Sequence, residues 1–338
     1  MTYREYVASL RAGAVEGVYV FYGKEDYLRK DAVERLRKKL LPPGLEDLNA
    51  QEMTNPSVQQ MTDALYTLPF MAERRIVLVR ELALLGGESG KGKGGEVSLD
   101  PLLDLIEHPI DTACLVIDAG EAFDKRRRLG KALAQLPGCV CCDPLDEREL
   151  QGFLGKQAKA LGACMEPDAA ERLVFLSGRD LQSLMGEMEK LAAYAGARNI
   201  TVEDVEAIAT RSAEARVFDM IDLLLEGRTA LAYAQLGILL ENGEARLGIL
   251  ALIARQIRQM LFVKEMMAEG MNQSAIGAQL GLKPFIVGKI ASRARRISSQ
   301  TLRAQLEACT DTEYRIKSGA LREDAALDGL MLNLRMGE

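Results

Sequence analysis

Four short runs of β-branched, aromatic and aliphatic residues fall within the first 143 positions, and none follows. They are Val18-Tyr19-Val20-Phe21-Tyr22, Arg75-Ile76-Val77-Leu78-Val79-Arg80, Cys114-Leu115-Val116-Ile117-Asp118 and residues 138–142. Short, nearly continuous apolar runs of this kind mark strands buried on both faces. Helical stretches separate them. Residues 26–41 place Leu28, Val33, Leu36 and Leu40 near one face and stop at Pro42-Pro43-Gly44, the pattern of an amphipathic helix with a proline stop. Strands alternating with helices predict a mostly parallel, three-layer α/β domain over residues 1–143.

After Asp146 the pattern predicts no further strand. Residues 147–161, 167–176, 180–194 and 202–209 read as four short helices. They open on Pro167-Asp168, Gly178-Arg179-Asp180 and Thr201-Val202-Glu203-Asp204, which are helix-start signals. This is a small helical domain over residues 144–212. Longer helices at 217–225, 229–241, 245–268 and 299–318 predict an all-α domain over residues 213–338. In the 245–268 helix Leu247, Leu250, Ile253, Ile257 and Leu261 step at three and four residues, and Ile249, Leu252, Met260 and Phe262 widen the apolar face. So wide a face suits packing in a bundle or against other subunits. The stretch 86–95, six of whose ten residues are glycine, predicts a flexible surface loop.

Composition removes several function classes. Of 338 residues, 48% are hydrophobic and 27% charged, enough to bury a large core. The longest apolar run, 249–254, is stopped by Arg255, so no bilayer span is predicted. The opening Met1-Thr2-Tyr3-Arg4-Glu5 lacks a signal-peptide core, and the expectation is a cytoplasmic protein. Cysteines occur at 114, 139, 141, 142, 164 and 309, and His108 is the one histidine. A zinc site would need a second Cys/His pair at ligand spacing, so Cys139, Cys141 and Cys142 read as buried strand residues. No metal and no cofactor are expected. A net charge of −6 disfavours DNA binding by the chain alone.

A strand running into Gly23 and then a helix is where a phosphate-binding loop would lie. Its chemistry is wrong. Counting from Gly23, the second glycine position is Leu28, the lysine position Arg29 and the hydroxyl position Lys30, while Glu25 and Asp26 stand where phosphates would sit. A second partial match, Gly87-x4-Gly92-Lys93, has Gly94 in the hydroxyl position and opens no helix. After Asp118 come Ala119-Gly120 rather than a second acid, so Asp118 reads as a strand-end turn residue and no catalytic residue is predicted.

The segments Gly23-Lys24-Glu25-Asp26-Tyr27-Leu28, Leu68-Pro69-Phe70-Met71 and Asp124-Lys125-Arg126-Arg127-Arg128-Leu129, with two more further along the chain, together resemble the delta-subunit family of bacterial DNA polymerase III clamp loaders. Gly23-Lys24-Glu25-Asp26-Tyr27-Leu28 is similar to its G-x-E-x-x-L opening. Leu68-Pro69-Phe70-Met71-Ala72-Glu73-Arg74-Arg75-Ile76-Val77 resembles its L-P-F-F-x-x-R-R segment, and Asp124-Lys125-Arg126-Arg127-Arg128-Leu129 its D-K-R-x-K-L run. Ser177-Gly178-Arg179-Asp180-Leu181, with Glu187 and Glu189-Lys190-Leu191, resembles its G-x-D-L…E-x-E-K-L helix. Asp311 with Ile316-Lys317-Ser318-Gly319 resembles a signature of its last domain. The segments run in order across nearly the whole chain. The resemblance implies an AAA+-like α/β domain, a helical lid and a helical collar. It implies a subunit that binds the sliding clamp and opens its ring interface without hydrolysing ATP. The implied partners are the clamp, the clamp-loader ATPase subunits, the delta-prime subunit and, through the complex, primed DNA. It also places Leu181 where the ATPase subunits carry a sensor arginine. The implied clamp-contact residues are Leu68, Phe70 and Met71, projecting from a helix end before a strand. Met71 stands where the family usually has an aromatic. Adjacent large apolar residues diverge in direction on a helix or a strand, so at least one of Phe70 and Met71 is expected at the surface.

Two other functions fit parts of the sequence. Residues 274–282 and 287–290, with Lys283, Lys289, Arg293, Arg295 and Arg296 nearby, have the form of a helix-turn-helix DNA reader. Pro284-Phe285 would then open the recognition helix, where polar side chains should reach bases. An active AAA+ ATPase would require nucleotide binding at Lys93.

Overall fold

The computed structural model describes residues 1–86, 98–282 and 284–334. Gly87, Gly92, Lys93 and Gly94, and with them the second phosphate-loop match, lie outside the described residues, as does Lys283. The chain divides into two compact units, Met1–Leu150 and Gln151–Glu338.

The first unit is built on strands β1 (Val18–Tyr22), β2 (Ala50–Thr54), β3 (Arg75–Arg80), β4 (Ala113–Asp118) and β5 (Cys139–Cys141). All neighbours pair in parallel, in the order β2-β3-β4-β1-β5. Its helices are α1 (Tyr3–Arg11), α2 (Asp26–Leu40), α3 (Glu46–Asn49), α4 (Val58–Tyr66), α5 (Asp100–Glu107) and α6 (Arg128–Ala134). Strand alternation sorts the core into two layers. Val18, Val20, Val77, Val79, Leu115 and Ile117 form one cluster with Met61 and Leu65 of α4, Leu102 and Ile106 of α5, and Leu129 and Leu133 of α6. On the opposite face Tyr19 and Phe21 meet the Tyr6 ring of α1 edge-on, at 5.5 and 5.2 Å. The Tyr6 hydroxyl donates to the Ala32 carbonyl of α2 at 2.8 Å. The result is the three-layer parallel α/β fold expected of an AAA+-like domain.

Edge strand β2 was not expected. Ala-Gln-Glu-Met-Thr carries one β-branched residue and no fully buried one, so only its pairing with β3 reveals it. Gly138 precedes β5 because a Cβ there would lie 2.0 Å from the Val18 carbonyl oxygen. Cys139 and Cys142 are buried as expected, and Cys141 half-buried. Burial pushes the Cys142 thiol up to about 12, so it stays protonated and inert.

In the second unit α7 (Glu147–Ala160), which begins before the boundary, is followed by α8 (Pro167–Ser177), α9 (Leu181–Ala195) and α10 (Val202–Ile208). Then come α11 (Ala213–Leu225), α12 (Thr229–Glu241), α13 (Arg246–Ala268), α14 (Gln273–Leu280), α15 (Pro284–Ala294), α16 (Ser299–Lys317) and α17 (Glu323–Asn333). The expectation that strands end at Asp146 needs a small correction. Two-residue strands β6 (Cys164–Met165) and β7 (Asn199–Ile200) pair in parallel. Helix α13 buries Ile249, Leu250, Ile253, Ile257, Met260 and Leu261 at the centre of the second core. Glu187 of α9, one of the motif residues, accepts from the Thr210 backbone N–H at 3.0 Å and from Lys190 at 2.7 Å. It thereby ties the chain just past the end of α10 to α9. No helix among the described residues is long and apolar enough to cross a membrane.

Candidate functional site

The degenerate phosphate loop is closed from inside. Gly23 has φ of +131°, and a Cβ on it would lie 2.4 Å from the Cys142 backbone. The glycine therefore serves packing against β5 and its continuation. Two of the backbone N–H groups of the loop that could otherwise face a phosphate are already committed. Gly23 donates to the Gly120 carbonyl at 3.0 Å and Glu25 to the Cys142 carbonyl at 2.9 Å. Arg29, in the lysine position, is buried and turns back into the protein. It bonds Asp118 at 3.0 Å, Asp26 at 2.8 Å and the Gly23 carbonyl. Lys30, in the hydroxyl position, pairs with Asp26 at 2.6 Å. That bond holds the Asp26 carboxyl below its usual range, with Arg29 and Arg80 adding to the effect.

Asp118 also accepts from Gly120 N–H at 3.1 Å and from Arg80 at 3.4 Å. It is the turn residue expected from the sequence and, in addition, the centre of an ion-pair network. A cavity of about 370 Å³ remains beside Arg29, Arg80, Asp118 and Gly120. Room for a ligand exists, but the residue in the lysine position is a buried arginine already bonded to Asp118, Asp26 and Gly23. In the second unit Leu181 is fully buried in the first turn of α9, where it can bear no sensor charge.

The helix-turn-helix form is present as α14 and α15, joined through Gly281 in the left-handed region. Much of its described surface is turned into the unit's own core. Val287, Ile290, Ala291 and Ala294 of α15 are buried. Arg293 is buried against Asp222 and stacks on Phe218 at 3.2 Å. Lys289 lies over the Phe175 ring at 4.8 Å, and Arg296 bonds the Leu225 carbonyl at 2.8 Å. Three of the five basic residues thus serve the unit's own packing.

The apolar segment is different. Leu68, Phe70 and Met71 are 77%, 54% and 78% exposed. The expectation of at least one exposed residue is exceeded. The helix-end placement is corrected: α4 stops at Tyr66, and all three lie in the loop 67–74 before β3. On a loop, neighbouring side chains need not take opposite faces, so all three reach solvent. Met71 sits at φ +49°, a left-handed conformation that costs a non-glycine residue about 1–2 kcal/mol. Strain of this kind concentrates at functional segments.

One residue of the site was not read from the sequence. Asn49, at the end of α3, is fully buried and brackets the backbone of Phe70. The Phe70 N–H donates to Asn49 Oδ1 at 2.7 Å, and Asn49 Nδ2 donates to the Phe70 carbonyl at 2.9 Å. Tyr66 and Leu48, chain neighbours of the loop and of Asn49, are also large, apolar and exposed.

Comparison with known proteins shows the family. Residues 19–142 match the family model described as DNA polymerase III, delta subunit, and residues 214–334 that described as its C-terminal domain. The DNA polymerase III subunit delta of Bacillus subtilis (strain 168) is 32% identical over 331 residues, 96% of this chain and 95% of the relative. A probable DNA polymerase III subunit delta of Aquifex aeolicus (strain VF5) is 28% identical over 176 residues, 51% of this chain and 50% of its own length. The solved Bacillus subtilis DNA clamp loader delta protein superposes with a TM-score of 0.62 at 29% identity, covering 99% of both chains. A degenerate phosphate loop in a parallel α/β unit, a helical second unit and likeness over almost the full length lead to one conclusion: the chain belongs to the DNA polymerase III delta-subunit family.

Proposed function

We propose that this chain is the clamp-loader subunit that binds the sliding clamp and holds one of its ring interfaces open, hydrolysing no ATP itself. The observation that carries the reading is the loop 67–74, with Leu68, Phe70 and Met71 all exposed. A cluster of large apolar side chains held together at a surface supports a binding role. The proposed partners are the sliding clamp, the ATPase subunits, the delta-prime subunit and, through the assembled complex, primed DNA in the cytoplasm. We propose that residues 1–143 carry clamp binding, 144–212 act as a lid and 213–338 form the collar that joins the other subunits. The half-buried Leu252 and exposed Phe262 on α13 support an assembly role for the last segment.

Mixing the chain with its cognate clamp in the absence of nucleotide and sizing the mixture is the test. A co-eluting complex is expected, and two separate peaks would end the clamp reading. Isothermal calorimetry of the chain alone with Mg-ATP is expected to show no millimolar-or-better binding. Clear one-to-one heat would mean that the Arg29 network opens to admit phosphate.

A further inference from the structure

We infer that Asn49 is the positioning residue of the clamp-contact loop, fixing Phe70 and Met71 in their binding geometry before the partner arrives; this rests on the clamp-binding reading above. Asn49 is 0% exposed in a chain whose buried residues are overwhelmingly apolar. A buried amide is retained only where its hydrogen bonds are made. Here Nδ2 donates to the carbonyls of Leu45, at 3.0 Å, and Phe70, at 2.9 Å, while Oδ1 accepts from the Phe70 N–H at 2.7 Å. An amide side chain carries acceptor and donors on one short plane. It can therefore satisfy the N–H and carbonyl of a single residue, as a strand partner would. Aspartate of the same shape would oppose the Phe70 carbonyl, and leucine would leave both groups unpaired.

The anchor is firm because Asn49 immediately precedes β2, whose Ala50 is in register with Ile76 of β3. Three successive loop residues are thereby constrained. The Pro69 ring fixes its own φ, the amide bracket holds Phe70, and Met71 sits in the left-handed region. Without the bracket, Phe70 would have no backbone partner in the loop and the strained Met71 conformation would relax. A loop ordered in advance loses less freedom on binding, so preorganisation appears as affinity. The bracket touches only backbone and leaves the Phe70 side chain free to enter a partner.

The test compares the full chain with Asn49→Asp and Asn49→Ser, all three retaining Leu68, Phe70 and Met71. Clamp affinity is measured by surface plasmon resonance, unfolding by circular dichroism, and backbone protection of residues 67–74 by hydrogen exchange on the free chain. The expected result is a loss of clamp affinity of at least about tenfold in either variant. Faster exchange at Phe70 should accompany it, with the unfolding midpoint lowered but both variants folded at the temperature of the binding measurement. A purely structural role would lower the midpoint and speed exchange at Phe70 without changing clamp affinity in the folded variant. Normal clamp affinity in a folded variant overturns the inference while leaving the clamp reading intact. A wild-type chain that captures no clamp overturns both. If neither variant folds, the wild-type exchange decides: protection at Phe70 in the free chain upholds the inference, and exchange at the unprotected rate overturns it.

Discussion

Phe70→Ala combined with Met71→Ala is expected to abolish clamp capture at micromolar concentration while moving the unfolding midpoint by only a few degrees. Both side chains are more than half exposed. Substitutions at such positions usually change stability by less than about 0.5 kcal/mol. Their loss should be felt in binding instead. Truncating an anchor that fills a partner's pocket costs about 2 kcal/mol or more, roughly thirtyfold in affinity. Leu65 supplies the contrast. It lies one residue before the end of α4 and is buried in the sheet–helix core. Leu65→Ala should cost about 2–5 kcal/mol of stability. Gel filtration with the clamp and thermal unfolding of the three proteins separate the cases. Early unfolding of the double variant would make Phe70 and Met71 core residues. A well-folded double variant that still binds the clamp would put the contact elsewhere.

The parts of the fold legible in the sequence were those whose burial leaves a compositional trace. Strands β1, β3, β4 and β5 are dense in Val, Ile, Tyr, Phe and Cys because helices cover both faces. Helices α8, α9 and α10 are bounded by start signals the structure confirms: Asp180 accepts from Ser183 N–H at 2.7 Å, and Thr201 forms a capping box with Asp204. Strand β2 was invisible because an edge position asks for no continuous apolar run. Helix α17, with Ala326, Leu327, Leu330 and Met331 buried, had the right spacing and was not read. The site divides the same way. An apolar triplet around Pro69 is conspicuous, and the resemblance marked it for contact. Asn49 sits inconspicuously in Glu-Asp-Leu-Asn, and its partner lies 21 residues away. A side chain that bonds backbone obeys no periodicity and asks nothing of the partner's identity, so no local pattern could have found it.

Arg29→Ala is expected to destabilise the first unit by about 3 kcal/mol, because breaking a buried ion pair leaves its partner charge stranded. The guanidinium joins three acceptors: Asp118, Asp26 and the Gly23 carbonyl. Its fork is matched to that arrangement, whereas a lysine ammonium is a point charge on a flexible stem. After removal, Asp118 keeps Arg80, at 3.4 Å, as its cationic partner among the described residues. A loss of that size should lower the unfolding midpoint by roughly 10 °C for a unit of this length. Arg29→Lys is the sharper variant, since it returns the residue that phosphate loops use. It should lose part of the same stability and still bind no Mg-ATP. Leu28 would remain where the loop needs glycine, and the Gly23 and Glu25 amides would remain bonded to Gly120 and Cys142. Thermal unfolding and calorimetry on both variants decide the matter. An unchanged midpoint in Arg29→Ala would show that the network contributes nothing to folding. Measurable nucleotide binding by Arg29→Lys would show that one side chain, rather than the closed backbone, keeps ATP out.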